Sequence, residues 1–193
     1  MTIFLRRQLY PAVMLLALLT LLTGVAYPAA ITAVAQVAFP RQANGSMIVV
    51  DGRTVGSTLI GQAFSDPKYF WGRLSAAGTD GYDANSSAGS NLGPTNKDLL
   101  DRVTKQVDEM RAANGDAPIP ADLVTTSASG LDADVSPAGA DYQVARVAKA
   151  RGMSEADVRA AIARHTVGPL LGFLGQTRVN VLELNLDLDG ALQ

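Results

Sequence analysis

Three places along the chain gather side chains that chemistry could use. Residues 86–96, SSAGSNLGPTN, lie directly ahead of the helix-like run NKDLLDRVTKQVDEM. A glycine-rich loop entering a helix can hold a phosphate on free backbone amides. The pattern G-x-x-x-x-G-K-[ST] is absent, however, and no lysine follows the loop before Lys97. The composition favours a tight turn, with Ser90, Asn91, Gly93, Pro94 and Asn96 as structural or partner-contacting residues. In ASGLDADVSP (128–137), Asp132 and Asp134 stand close together. Paired carboxylates can bind a cation or serve as acid and base. Aspartates that form a turn near a helix N-terminus are the plainer reading, since negative charge is favoured there. The third place is Tyr69-Phe70-Trp71 with Arg73. Trp71 and Arg73 suit an interface anchor, and core packing explains the aromatics equally well.

The remaining inventory is sparse. There is no cysteine, so disulfides, thiol nucleophiles and thiolate metal sites are excluded. The one histidine, His165, rules out a multi-histidine metal site. It falls on an apolar helix face and reads as a packed or capping residue rather than a general base. No serine sits in a G-x-S-x-G elbow. A formal net charge of -2 gives nucleic acid no purchase. No catalytic residue and no metal site are expected.

The elements that would position these residues begin with a membrane anchor. No charged residue occurs from Gln8 to Pro40, and LYPAVMLLALLTLLTGVAYPAAITAVAQVAF (9–39) exceeds the roughly 20 apolar residues a spanning helix needs. Pro11 fits the first turn, Pro28 is expected to kink or end the most regular part, and Tyr10 and Tyr27 suit the two interfaces. A cleaved signal peptide competes, because Ala33-Val34-Ala35 resembles a cleavage site. The apolar run is too long for a usual signal, which favours an uncleaved anchor. Arg6 and Arg7 place residues 1–8 in the cytoplasm by the positive-inside rule, and everything beyond the anchor is exported. Residues 40–47 read as a linker, and 48–193 as a single exported domain. Apart from Arg6 and Arg7, the chain carries 14 basic against 18 acidic residues, a net of -4.

Within that domain, MIVVDGRTVGS (47–57) predicts two strands around Asp51-Gly52. NKDLLDRVTKQVDEMRAANG (96–115) predicts an amphipathic helix, with Thr95 and Asp98 as a capping box and Asn114-Gly115 as the stop. Ser136-Pro137 opens a second helix running to Arg151, ended by Gly152, and Ser154 with Asp157 caps a third. RVNVLELNLDLD (178–189) alternates like a strand, with a slip at Val181-Leu182. The fold class is α+β, with two or three helices on a small, mainly antiparallel sheet.

Several long runs together resemble one family, the C subunit of the Kdp-type potassium-transporting P-type ATPase. They are LIGQAF and YFWGR (59–73), SSAGSNLGPTN (86–96), PADLVTTSASGLD (120–132), YQVARVAKARG (142–152) and HTVGPLLGFLGQTRVNVLELNLDLD (165–189), with the N-terminal anchor. The chain departs from the family's usual residues at Leu74, Ala128, Ala133, Asp134, Pro169 and Gln176-Thr177.

The resemblance implies a single-pass protein of the bacterial inner membrane and a non-catalytic accessory role. Its partners would be the channel-like A subunit, the ATP-hydrolysing B subunit, the small F subunit and membrane lipid, and potassium would be the substrate of the complex. It further implies a catalytic-chaperone function that raises the ATP affinity of the B subunit, with Gln143 as the proposed nucleotide contact. Any ATP contact would be transient and shared with the B subunit. The topology places Gln143 across the membrane from ATP. Influence on catalysis would then pass through the partners' conformational equilibrium. A membrane-anchored exported hydrolase or solute-binding protein is the reading from a different class.

Overall fold

A computed structural model describes residues 2–191, with side chains from residue 7 onward. Arg6, invoked for membrane orientation, has its side chain outside the described residues, and Arg7 is exposed. The chain divides into two compact units, Met1–Ser46 and Met47–Gln193.

The first unit is dominated by apolar helix. Helix α1 spans Thr2–Leu21, a π-helical turn spans Leu22–Ala26, and α2 spans Tyr27–Ala38. Pro28 does not end the helix. It enters at the first turn of α2, immediately after the π-helical turn. A proline inside a helix lacks an N–H and pushes its ring at the carbonyl four residues back. One wider turn over Leu22–Ala26 absorbs that conflict and lets the helix continue. Arg7–Ala38, 32 residues, is long and apolar enough to cross a membrane. A short helix α3, Pro40–Ala43, follows.

The second unit is α+β. Strands β1 (Met47–Val50) and β2 (Arg53–Ser57) form the expected hairpin, with a register shift between Ile48 and Val49. Asp51 and Gly52 both have positive φ, as a tight two-residue turn requires. Helix α4, Lys97–Asn114, begins one residue later than the capping box implied. Asn96 is the cap, its side chain accepting from the Asp98 amide. A 3₁₀ turn covers Ala121–Leu123.

Two expectations need correction. The helix expected from Ser136 to Arg151 is two helices, α5 (Pro137–Asp141) and α6 (Val144–Arg151). At the break, the Gln143 amide group donates to Gly139 O, four residues back, while its backbone N–H turns to Ala140 O. The side chain takes the carbonyl that the backbone would have used. The strand expected over 178–189 stops at β5, Arg178–Asn180, and continues as helix α8, Val181–Leu188. Asn180 causes the switch by accepting the Glu183 amide, and the buried positions Val181, Leu184 and Asn185 recur at helical spacing. Among its described residues the second unit therefore holds five α-helices rather than two or three.

Helix α7, Glu155–Arg164, is capped by Ser154 as the sequence predicts. Strands β3 (Asp134–Val135) and β4 (Thr166–Val167) flank β5 in an antiparallel sheet of order β3-β5-β4. Phe70, Leu123, Val144, Val147, Val158, Val179 and Leu184 are fully buried and join in one apolar core.

Candidate functional site

The polar side chains most deeply placed converge on residues 66–73, a stretch of irregular backbone. Phe70 is fully buried, so its N–H and C=O lose water and must find partners inside. Asn185 on α8 provides both. Its Oδ1 accepts from Phe70 N at 2.8 Å and its Nδ2 donates to Phe70 O at 3.0 Å. The next residue is held in the same way from another element. Gln143 Oε1 accepts from Trp71 N at 2.8 Å and Nε2 donates to Trp71 O at 3.1 Å. Two carboxamides thus do for Phe70 and Trp71 what neighbouring strands would do in a sheet.

Arg146, one turn beyond Gln143, completes the clamp. Its guanidinium lies over the Trp71 ring at 3.9 Å and donates to Pro67 O, Tyr69 O, Asn114 Oδ1 and Gln143 Oε1. No carboxylate is among these partners, and burial lowers its pKa to about 10. Arg151, at the end of α6, holds Lys68 O and Leu188 O and pairs with Asp189 at 2.8 Å.

Gln143 is fully buried, and its amide is saturated: two donated bonds to Trp71 and Gly139, two accepted from Trp71 and Arg146. In this conformation it has neither exposed surface nor a free donor or acceptor for a ligand.

Arg73 and Asp132 form an ion pair at 3.0 Å, with Arg73 also directed at Thr126 O. Beside them, Tyr82 donates to Arg73 O at 2.5 Å. Burial, reinforced by the Asp132 charge and opposed by Arg73, pushes the Tyr82 hydroxyl up to about 12. Asp134 does not join Asp132 as a working pair. It bonds Arg178 at 2.8 Å and Asn180 at 3.2 Å across the sheet. Burial raises its pKa, Arg178 acts to lower it, and the Asp132 charge raises it further. Among the described residues, no group of three or more His, Cys, Asp and Glu is placed to hold a metal ion.

The 86–96 loop packs against 126–130. Thr126 Oγ1 donates to Ser90 at 3.2 Å and Ser87 to Ser129 O at 2.9 Å. Glycine is required where these backbones meet: a Cβ at Gly130, with φ of +68°, would stand 2.6 Å from Ala88 O. Gly93 has open space and no positive φ, so nothing within the fold demands glycine there. Asn91 carries the left-handed conformation instead, with φ of 52°. Pro94 is exposed. At the helix start, Asn96 already takes the Asp98 amide and Asp98 sets negative charge in the first turn. An incoming phosphate would meet that charge.

His165 caps α7 and lies 3.0 Å from Asp187, which Arg164 also holds at 2.7 Å. Burial would raise the Asp187 pKa, but hydrogen bonds from Arg164 and His165 outweigh it and keep it below the usual value.

The structure thus brings Trp71, Gln143, Arg73 and Asp132 to the same part of the chain, while Gly93 and Pro94 stand on the surface. Asn185, Arg146 and Tyr82 were missed by sequence reasoning. An asparagine on the buried stripe of α8 was the one signal that could have found Asn185. A cleft of about 460 Å³ is bordered by Trp71, Arg73, Tyr82, Gln106 and Glu109. None of these pairs a nucleophile with a base at hydrogen-bond reach, and the polar groups nearby serve the fold.

Fold and site together define an α+β module preceded by one helix long and apolar enough to cross a membrane. Residues 9–190 match the family model described as K+-transporting ATPase, c chain. A potassium-transporting ATPase KdpC subunit from Sorangium cellulosum (strain So ce56) is 62% identical over 186 residues, covering 95% of this chain and 98% of that protein. One from Burkholderia mallei (strain SAVP1) is 56% identical over 183 residues, covering 94% and 95%. The chain belongs to the KdpC family, the accessory subunits of the potassium-transporting ATPase, which removes the hydrolase and solute-binding readings.

Proposed function

We propose that this subunit supports assembly of the potassium pump and raises the ATP affinity of the B subunit without touching nucleotide. It sits with its N-terminus in the cytoplasm of a bacterial cell and residues 47–193 on the outer side of the inner membrane, next to the A, B and F subunits. The orientation rests on Arg6 and Arg7 ahead of an uncharged run of 33 residues, 8–40. A cysteine at exposed Thr95 would be the chain's only one, and an impermeant maleimide should label it in intact cells. Labelling only after permeabilisation would overturn this orientation.

The burial of Gln143 carries the indirect mechanism. A residue with every hydrogen-bonding position filled inside the core can reach ATP only by dismantling the clamp. Influence by conformational preference has no such requirement. A domain that binds one pump conformation tenfold better shifts the equilibrium by about 1.4 kcal/mol.

The test is ATPase activity of the reconstituted complex across ATP and potassium concentrations, with the whole chain or with residues 1–46 alone. Loss of the domain should weaken the ATP and potassium responses together. The full chain by itself should show no rise in melting temperature with ATP. A saturable rise, or a change confined to the ATP response, would defeat the indirect mechanism.

A further inference from the structure

The turn that carries the first helix past Pro28 leaves one backbone group behind. Leu22–Ala26 is π-helical, and the Tyr27 N–H donates to Leu22 O, five residues back. In an α-helix that N–H would serve Thr23 O. The next residue in reach of Thr23 O is Pro28, which has no N–H. The Thr23 carbonyl is therefore left without a backbone donor from its own helix. The nearest hydroxyl is committed elsewhere, since Thr23 Oγ1 donates to Leu19 O at 2.7 Å.

Position makes this gap costly. Thr23 stands at the midpoint of Arg7–Ala38, the 32 residues long and apolar enough to cross a membrane. Such a helix is about 48 Å long, against a hydrocarbon core of about 30 Å. Wherever the core falls along that length, Thr23 lies inside it. Lipid tails carry no hydrogen-bond donor, so a bare carbonyl among them is strongly unfavourable. A widened turn and a local hydroxyl are the usual internal remedies. Here the widened turn creates the gap, and the hydroxyl serves Leu19. What remains is a side chain on another membrane helix.

Gly24 leaves room for that helix. A Cβ there would meet no side chain nearer than Thr20 Cγ2, at 4.0 Å, so packing within this chain does not require glycine. Close approach of a second helix does. Charge is expensive at this depth, which makes the donor neutral, a hydroxyl or a carboxamide. A symmetric pair of copies would set the two Thr23 carbonyls at one depth, acceptor facing acceptor. A different chain supplies what this one lacks.

We propose that the Thr23 carbonyl is a docking point within the membrane, accepting a hydrogen bond from a hydroxyl or carboxamide on a transmembrane helix of another subunit of the ATPase, packed against Gly24. This rests on the membrane-spanning, accessory-subunit reading above.

Thr23-Gly24 is the only Thr-Gly pair in the chain. Isotopic labelling of threonine at the carbonyl carbon and of glycine at the amide nitrogen therefore marks this one peptide bond. Solid-state NMR compares the labelled full chain in lipid alone and after assembly with unlabelled partner subunits. The Thr23 carbonyl signal should move downfield on assembly, as a carbonyl does on gaining a hydrogen bond. An unchanged signal would overturn the proposal. So would a downfield signal already present in lipid alone, where only water or a second copy can be the donor. Gly24→Leu, which fills the notch, should lower recovery of the partner subunits in mild detergent about tenfold, equivalent to about 1.4 kcal/mol. Gly24→Ala should retain most of that recovery, and neither variant should alter thermal unfolding of residues 47–193, a separate compact unit. Full recovery with Gly24→Leu would overturn the docking point while leaving the accessory-subunit reading intact. Failure of the wild-type chain to bring its partners down would defeat that reading itself.

Discussion

Residues 66–73 and 166–177 are both loops rich in apolar side chains, yet the protein treats them in opposite ways. The first is pinned to the core at Phe70, whose backbone is shut off from water, and Asn185, Gln143 and Arg146 bond the backbone of residues 67–71. The second stays in solvent and closes on itself through Leu170 and Leu174. Burying an irregular segment demands dedicated polar side chains from distant elements, and leaving one exposed demands none.

The comparison breaks most readily at Gln143. Gln143→Leu keeps a similar volume but strands the Trp71 N–H and C=O and removes a partner of Arg146. Its cost should be roughly 3–5 kcal/mol. Trp71 is the only tryptophan, so its fluorescence in a denaturant titration of the full chain reports the clamp directly. Asn185→Leu strands only the Phe70 pair and should cost about 2–3 kcal/mol. Equal stability in either variant would mean that the clamp is ornamental, and the contrast with residues 166–177 would lose its basis.

The smallest effect is expected beside the 166–177 loop, where Arg164 and His165 meet Asp187. Asp187→Asn weakens the contacts with Arg164 and His165, which are partly exposed, and should cost about 0.5–1 kcal/mol at pH 7. The folded-state pKa of Asp187 is depressed, so its contribution is present above the unfolded value and is lost as pH falls through the lower folded value. The difference between wild type and variant should therefore shrink toward zero in acid. Thermal melts of both chains from pH 7 down past the usual carboxylate range would show it. A difference that persists in acid would assign the effect to packing.

The long apolar N-terminal helix, the Asp51-Gly52 hairpin and helix α4 were legible in the sequence because each is dictated by neighbours: an uncharged run, a turn dipeptide, a periodic apolar face. The clamp was not. Gln143 meets a backbone 72 residues away and Asn185 one 115 residues away, and nothing local announces either contact. The 178–189 misreading has a similar origin. Leu182, Leu184, Leu186 and Leu188 alternate as a strand would, and what decides for helix is the cap at Asn180 and the burial of Val181, Leu184 and Asn185 on one side. Gly93 attracted notice through composition alone, while the glycine the packing needs, Gly130, lay in the segment against which the loop packs.

Arg146 holds its segment by carbonyl dipoles, two side-chain amide oxygens and an aromatic face, with no opposite charge in the arrangement. Dissolved salt weakens attractions between charges exposed to solvent, and it has little hold on a sheltered cation bound to neutral groups. The grip on residues 67–71 should therefore be the same in dilute medium and in brine. The folded form of this segment should therefore persist through changes in salinity, while the exposed ion pairs of the surface respond to ionic strength.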